Sequence, residues 1–402
     1  MVTAPGAKGT SRIRILFTFV GGSGHFEPLV PIARAAQDAG HAVAFAAGAS
    51  MATTVEAAGF TVFAAGAGRG GTPKRSPLRQ LDNEREERDF RERFAGHAAR
   101  ERATRIAAVC AEWQPDVVVC DETDFGSVIA AERLGLPSAT VLVIAAGSFV
   151  RAELVSEPLN ELRTEQGLPP DPELAMLSRF LVLSPFPPSY RDPAFPPPPT
   201  AHAFRGITAA SAANNLVPPW SVALHGAPTV YFTLGTVFNM ESGDLLVRVL
   251  AGLRELPINL VVTVGHHIDP VELGPQPASI HIERYVPQSV VLPRCDLVVS
   301  HGGSGSVIGA LAHGLPLVLI PMGADQPHNA ARCAELGVAR VLDAVEATPE
   351  TVRAAVSTVL GDPTYRRAAE RIRDEIATLP EPAHAVRLLE RLVAEKRPLL
   401  SG

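Results

Sequence analysis

The chain has 402 residues, a formal net charge of −6 and a pI of about 6.1, and 46% of its residues are apolar. That length exceeds one ordinary hydrophobic core, so two domains are expected. The acidic balance argues against a nucleic-acid partner, which selects a basic face, and no apolar run reaches the ~18 residues of a membrane-spanning helix.

In chain order, MVTAPGAKGTSR lacks the apolar centre of a signal peptide. The run 12–20 reads as a strand, GGSG at 21–24 as a break, and 26–41 as a helix with Leu29, Ile32, Ala33 and Ala36 on one face. Strands are expected at 42–47 and 60–66, a long loop at 67–81, and one charged helix over 82–112. The Lys and Arg residues of 69–105 alternate with Glu and Asp, which suits a solvated helix rather than a basic patch. A buried strand at 116–121, a helix at 125–136 and a strand at 138–144 follow. The proline-rich stretch 184–200 can be neither a central strand nor a helix.

After about 227 the pattern restarts. Strands are expected at 229–234, 258–265, 280–286, 297–303 and 316–322, with a helix near 242–255 and a final helix near 383–396. Strand–helix alternation of this kind makes parallel sheets, so the fold class is α/β with two doubly wound halves. The boundaries read as 1–210 for the first domain, 211–227 for a linker, 228–380 for the second domain and 381–402 for a terminal helix returning to the first. Cys110, Cys120, Cys295 and Cys333 have no metal-ligand spacing and read as buried thiols, which suits a reducing cytoplasm.

Two strand–glycine–helix turns carry a histidine. Such turns place backbone N–H groups and a helix N-terminus where an anion can sit. The later one, SHGGSGSV at 300–307, offers Gly302, Gly303 and Gly305, the hydroxyls of Ser304 and Ser306, and His301 as a further donor; that set suits a diphosphate, or is a glycine turn with no ligand. The earlier one is no dinucleotide fingerprint: GGSGHF lacks the third glycine, and the next strand ends without an acid for a nicotinamide ribose. His25 stands at the mouth of the first helix, where a neutral imidazole is expected. A carboxylate would orient it as a proton acceptor. Asp121, at the carboxyl end of its strand, is the candidate; Glu122 and Asp124 are rivals, and Asp121 could instead cap the helix at 125–136, leaving His25 a plain loop residue. DETD at 121–124 does not read as a metal site, because no further ligand stands at the right spacing.

On these residues the chain resembles the family 1 GT-B glycosyltransferases, in the branch of bacterial natural-product enzymes that decorate macrolides, enediynes and related aglycones. The likeness spans nearly the whole chain and is strongest over 284–342, where VPQ, the HGG turn, GLP and DQ are in register with the nucleotide-sugar signature. GGSGHFEPLVPIARAAQDAGH is similar to the catalytic-histidine loop.

The resemblance implies two Rossmann-like domains facing a central crevice. It also implies sugar transfer from a nucleotide diphosphate donor to a hydroxyl of a hydrophobic aglycone. His25 would be the base with Asp121 as its partner, and displacement would occur in one step with inversion. Tyr285 would stack on the nucleobase, the Val286 backbone would pair with its edge, and Gln288 would lie beside the nucleotide. His301, Gly303, Ser304, Gly305 and Ser306 would hold the diphosphate, with Thr236 and Gly24 nearby. Asp325 and Gln326 would bind sugar hydroxyls. No metal and no resident cofactor are implied, the nucleotide sugar being a co-substrate, and a homodimer is compatible with the sequence. Many UDP-sugar members carry a Glu eight residues after the signature His, bound to both ribose hydroxyls. Here Gly309 stands there, and glycine cannot hold a 2′-OH, which suits a dTDP-sugar. UDP stays open, since one missing contact is worth a few kcal/mol at most.

A GT-B epimerase or phosphorylase would use the same frame without an alcohol acceptor. A non-catalytic GT-B-like partner protein would lack the His/Asp pair. The loop 66–90 and the stretch 184–200 are expected to shape the acceptor pocket; Phe94, Phe149, Met176 and Phe180 are candidates for its wall or for core.

Overall fold

A computed structural model describes residues 12–66, 74–206, 224, 226–236 and 238–401. The first sheet holds β1 (Arg14–Thr18), β2 (Ala42–Ala47), β3 (Thr61–Ala64), β4 (Val117–Asp121), β5 (Ser138–Val141), β6 (Leu181–Ser184) and β7 (Ala201–Ala203). All its pairs are parallel, in the order β3-β2-β1-β4-β5-β6-β7. The apolar runs of β1 and β4 are buried on both faces, as in a parallel sheet covered by helices. The helices are α1 (Ser23–Phe26), α2 (Val30–Asp38), α3 (Ala52–Ala57), α4 (Asn83–Phe90), α5 (Ala99–Trp113), α6 (Phe125–Arg133) and α7 (Ala152–Glu165).

The second sheet runs β10-β9-β8-β11-β12-β13, again all parallel. Its strands are β8 (Thr229–Thr233), β9 (Asn259–Thr263), β10 (Ile280–Glu283), β11 (Leu297–Ser300), β12 (Leu317–Leu319) and β13 (Ala339–Val341). Around it lie α8 (Leu245–Arg254), α9 (Gln288–Val291), α10 (Ser304–Ala312), α11 (Gln326–Glu335), α12 (Pro349–Gly361) and α13 (Pro363–Thr378). The last helix, α14 (Pro382–Glu395), crosses back: Ala385, Val386, Leu388, Leu389 and Leu392 share one apolar cluster with Ile32 and Ala36 of α2. His41 meets Glu390 at 3.0 Å beside that contact.

Both sheets reverse their strand order at a single place, between β1 and β4 in the first and between β8 and β11 in the second. Loops leaving the carboxyl ends of such strand pairs diverge and leave a crevice, which is where open α/β sheets bind ligands. His25 follows β1 and Asp121 ends β4; Gly235 and Thr236 follow β8 and His301 follows β11. The fold therefore brings the two sets of candidate residues to the two switch points.

Several elements differ from the sequence reading. The charged helix expected over 82–112 is α4 and α5 with a wider, π-helical stretch, Arg91–Ala98, between them. The helices α7, α12 and α13 and the strands β6, β7 and β13 were not anticipated; β6, β7 and β13 have only three or four residues, too few to show a period. The loop 66–90 does not simply border an acceptor pocket. Its segment 74–78 runs onto the second domain: Ser76 N–H donates to Met240 O at 2.8 Å, Arg75 pairs with Glu272 at 2.6 Å, and Leu78 packs on the second core. Residues 67–73 of that loop, and nearly all of the linker expected at 211–227, lie outside the described residues.

Candidate active site

The first turn is built around one histidine ring. Gly21 sits at φ +106, a conformation costly for any residue with a Cβ, and a Cβ there would stand 2.8 Å from His25 Cδ2. The ring lies over Phe94, centroids 6.0 Å apart and planes 23° apart, and Phe94 comes from the π-helical stretch. Asp121 is fully buried, with Oδ2 accepting from Val20 N–H at 2.7 Å and Oδ1 from Thr123 N–H at 2.6 Å. His25 Nδ1 is 3.5 Å from Asp121 Oδ1, longer than an ordinary hydrogen bond. Between them stands the Thr123 hydroxyl, 2.6 Å from Asp121 Oδ1 and 3.2 Å from His25 Nδ1.

The electrostatics correct one expectation. Burial works against a charged His25, but Asp121 outweighs it, helped by Asp325 and Glu122, and the pKa ends above its ordinary value. The helix-terminus argument fails because α1 is a single turn and His25 lies in its last rather than its first half. Burial also opposes ionisation of Asp121, yet His25, Thr123 and Val20 N–H hold its carboxyl below the usual range. The rivals are occupied elsewhere. Asp124, not Asp121, caps α6 and pairs with buried Arg102 at 2.5 Å. Glu122 accepts from Val143 N–H and Ile144 N–H, both at 2.5 Å, and burial pushes its carboxyl up to about 7.

The second turn holds its histidine differently. His301 is buried, its Nδ1 has no partner among the described residues, and burial pushes its pKa down to about 4. Two glycines face its Nε2: a Cβ on Gly235 (φ +77) would stand 2.6 Å away and one on Gly303 2.7 Å away. Gly303 precedes α10 with no side-chain cap, so the first N–H groups of that nine-residue helix are not taken by a capping side chain. Gly24, Thr236 and Gly305 are exposed. Tyr285 is 54% exposed and stacks on His266, centroids 5.5 Å apart, while Val286 is buried. Gln288 donates to Ser306 Oγ at 3.3 Å, and its Oε1 lies 2.7 Å from where a Cβ on Gly309 would be.

A polar seam joins the second turn to the first domain. Ser304 Oγ accepts from Ala145 N–H of the first domain at 2.9 Å and donates to Asp325 Oδ2 at 2.7 Å. Asn329, fully buried, donates to Asp325 Oδ2 at 2.8 Å and to Gly302 O at 3.0 Å, and accepts from Ala146 N–H at 3.3 Å. Glu86 of α4 accepts from Ala324 N–H at 3.0 Å, just before Asp325, where Ala324 holds φ +52. The Ser304 hydroxyl expected on a diphosphate is therefore committed to this seam. The Gln326 Oε1 expected near a sugar accepts from Met322 N–H at 2.8 Å.

The comparisons fit this geometry. Residues 247–392 match the family described as erythromycin biosynthesis protein CIII-like, C-terminal domain. The chain is 30% identical to 4'-demethylrebeccamycin synthase of Lentzea aerocolonigenes, across 94% of this chain and 99% of that protein. The chain belongs to the bacterial natural-product glycosyltransferases. Tylactone mycaminosyltransferase of Streptomyces fradiae is 28% identical over 98% of the chain and 95% of its own length. Spinosyn rhamnosyltransferase, solved with thymidine diphosphate, superposes with a TM-score of 0.78 at 26% identity, covering 94% of this chain and all of that one. The same protein has also been solved with the spinosyn aglycone. These neighbours are GT-B glycosyltransferases, and the two parallel sheets here have that architecture. The protein is a sugar-transferring enzyme.

Two residues of this glycosyltransferase's site were not singled out in its sequence. Asn329 had a usable signal: Gln326, Asn329, Ala330 and Cys333 are the buried positions of α11, so a polar residue occupies a core-facing slot. Thr123 had none, because a hydroxyl inside DETD reads equally well as helix-cap chemistry. Of the aromatic candidates, Phe94 reaches His25, and Phe149 lies against Phe90 (4.7 Å) and His328 of α11 (6.0 Å). Met176 is buried and Phe180 packs on the first core. Among the described residues no helix is long and apolar enough to cross a membrane, and no group of His, Cys, Asp or Glu could hold a metal ion.

Proposed function

We propose that the enzyme transfers a sugar, with inversion, from a nucleotide diphosphate donor to a hydroxyl of a hydrophobic natural-product aglycone, and that the donor is a dTDP-deoxysugar. His25 takes the acceptor proton. The acceptor oxygen bonds to the anomeric carbon as the bond from that carbon to the diphosphate breaks, and the nucleoside diphosphate leaves. Asp121 stabilises the imidazolium so formed. His301, the N–H groups that open α10 and the Thr236 side chain receive the charge developing on the diphosphate. Asp325 accepts from sugar hydroxyls, and Tyr285 offers a ring face to the base.

The observation that carries this reading is the seam that holds Asp325 against the first domain: Ser304 Oγ donates to Asp325 Oδ2 at 2.7 Å and accepts from Ala145 N–H at 2.9 Å, and Ala324 N–H donates to Glu86 at 3.0 Å. Asp325 accordingly contributes to the rise in the pKa of His25, which belongs to that first domain. A proton acceptor and a sugar-binding carboxylate on opposite walls of one crevice are what alcohol attack on a bound sugar requires. The dTDP preference rests on Gly309 and on the relatives that act with deoxysugars or were solved with thymidine diphosphate. Calorimetric titration with dTDP and with UDP tests it. Tighter dTDP binding is expected, and equal or tighter UDP binding would remove the donor assignment.

A further inference from the structure

We infer that Thr123 is a positioning residue that fixes the tautomer of His25 and leaves Nε2 as the proton-accepting atom. The inference rests on the proposed base role of His25. A threonine hydroxyl has one hydrogen to give. The Asp121 carboxylate can only accept, and its Oδ1 is 2.6 Å from Thr123 Oγ1, so the hydroxyl hydrogen points there. The same oxygen is 3.2 Å from His25 Nδ1 and has only lone pairs left to offer. His25 must then donate through Nδ1–H, which in a neutral ring leaves the lone pair on Nε2.

Asp121 thus reaches His25 in two ways, directly as a charge 3.5 Å from Nδ1 and through this hydroxyl. The bridge is held from every side. Thr123 is 1% exposed, its own N–H donates to the same Asp121 oxygen at 2.6 Å, and Val20 N–H fixes the other carboxylate oxygen. When the ring gains a proton at Nε2, the Nδ1–H bond to Thr123 becomes charge-assisted, which is the stronger form. The hydroxyl therefore orients the neutral base and stabilises its protonated form.

The test is long-range proton–nitrogen NMR of the full-length protein with nitrogen-15 histidine, the His25 signals being assigned by their loss in His25→Asn. The wild type is expected to show the Nδ1–H tautomer. Thr123→Val should give mixed tautomers and a titration midpoint lower by ~0.5 unit or more, the equivalent of one ordinary hydrogen bond. Thr123→Ser should restore both. An Nε2–H tautomer in the wild type overturns the inference, and needs no variant to fold. An unchanged tautomer and midpoint in Thr123→Val overturns it as well. The base reading is checked separately, by release of dTDP from dTDP-glucose with a steroid alcohol as acceptor. Turnover retained in His25→Ala removes that reading while leaving the tautomer measurement to stand by itself.

Discussion

The two histidine turns look alike in sequence and occupy opposite places in their sheets. In the first domain the histidine follows β1, the strand on one side of the switch point, and its carboxylate ends β4 on the other. In the second domain the histidine follows β11, the counterpart of β4, and the facing strand β8 leads into Gly235 and Thr236. That exchange decides the electrostatics. His25 meets a carboxylate across the switch point and its pKa rises; His301 meets glycine, is buried without a charge partner among the described residues, and its pKa falls to about 4. One local motif thus yields a ring with a raised pKa beside a carboxylate in one domain and a neutral buried ring in the other, which the proposed mechanism uses as proton acceptor and diphosphate ligand. The difference lies in the neighbouring strand, not in the motif.

The comparison breaks most sharply by deleting each ring. His25→Ala should lower turnover by ~10²–10⁴-fold, the usual worth of a positioned base, while dTDP affinity measured by calorimetry stays near that of the wild type. His301→Ala should do the reverse, weakening dTDP about tenfold or more as one diphosphate donor is lost. If both variants lost nucleotide affinity equally, the division of labour between the turns would be wrong.

A milder lever is pH. As the proposed base, His25 would act only when neutral, so with its pKa raised the rate should begin to fall on the acid side above the ordinary histidine value of about 6.5. His301 stays neutral until about pH 4, so its contribution to nucleotide affinity should be flat across that same range. Parallel measurements between pH 5.5 and 8.5 of turnover and of affinity for an intact dTDP-sugar, whose diphosphate lacks the terminal phosphate of free dTDP that titrates at about pH 6, separate the two. An acid limb in the affinity, coinciding with the one in the rate, would contradict the assignment.

Both rings lean on a left-handed glycine, which offers a matched pair of smaller perturbations. Gly21→Ala places a Cβ 2.8 Å from His25 Cδ2, and Gly235→Ala places one 2.6 Å from His301 Nε2, both at positive φ. The first should cost turnover and the second nucleotide affinity, each less than removing the ring it displaces. Asn329→Ala sharpens the picture differently, because it strips Asp325 of a donor and leaves Ala146 N–H without an acceptor. Stability should drop by about 1–3 kcal/mol in urea titration, with a raised KM for the donor.

Most of the strands were legible because buried parallel strands read as unbroken apolar runs; the short β6, β7 and β13 were not, and the strand order came only with the structure. GIy-rich breaks after them mark where the crevice lies. That rule put His25 and His301 at strand ends and made Asp121 a candidate beside Glu122 and Asp124; the pairing of His25 with Asp121 was implied by the resemblance. What the sequence could not convey is how polar groups are shared once the chain is packed. Ser304 looks like a diphosphate donor beside glycines, yet its hydroxyl is used by Ala145 N–H and Asp325, residues 159 and 21 positions away. The π-helical widening that brings Phe94 under His25 follows no periodicity that a charged run such as 83–98 can display. The helix-dipole argument for His25 failed for a related reason: helix length, on which the dipole depends, is set by where Pro28 and the 27–29 turn interrupt it.

The smallest expected effect concerns the donor's pentose. Gly309 lies on α10 with Gln288 Oε1 2.7 Å and Leu292 Cδ1 3.2 Å from the site of an added Cβ. Among the described residues the Gln288 amide donates to Ser306 Oγ at 3.3 Å, a weak anchor that lets it swing aside for a larger residue. Gly309→Glu should then place a carboxylate near the nucleoside and favour a ribose with a 2′-OH. The gain is one hydrogen bond to a charged group, about 1.5–3 kcal/mol before the displacement of Gln288 is subtracted. Relative affinity for UDP over dTDP should rise by about tenfold or less, read by competition calorimetry. Gln288→Ala/Gly309→Glu removes the displaced amide and should enlarge the shift. If the double variant moved preference no further than the single one, Gln288 would not be what fills the place of the missing carboxylate.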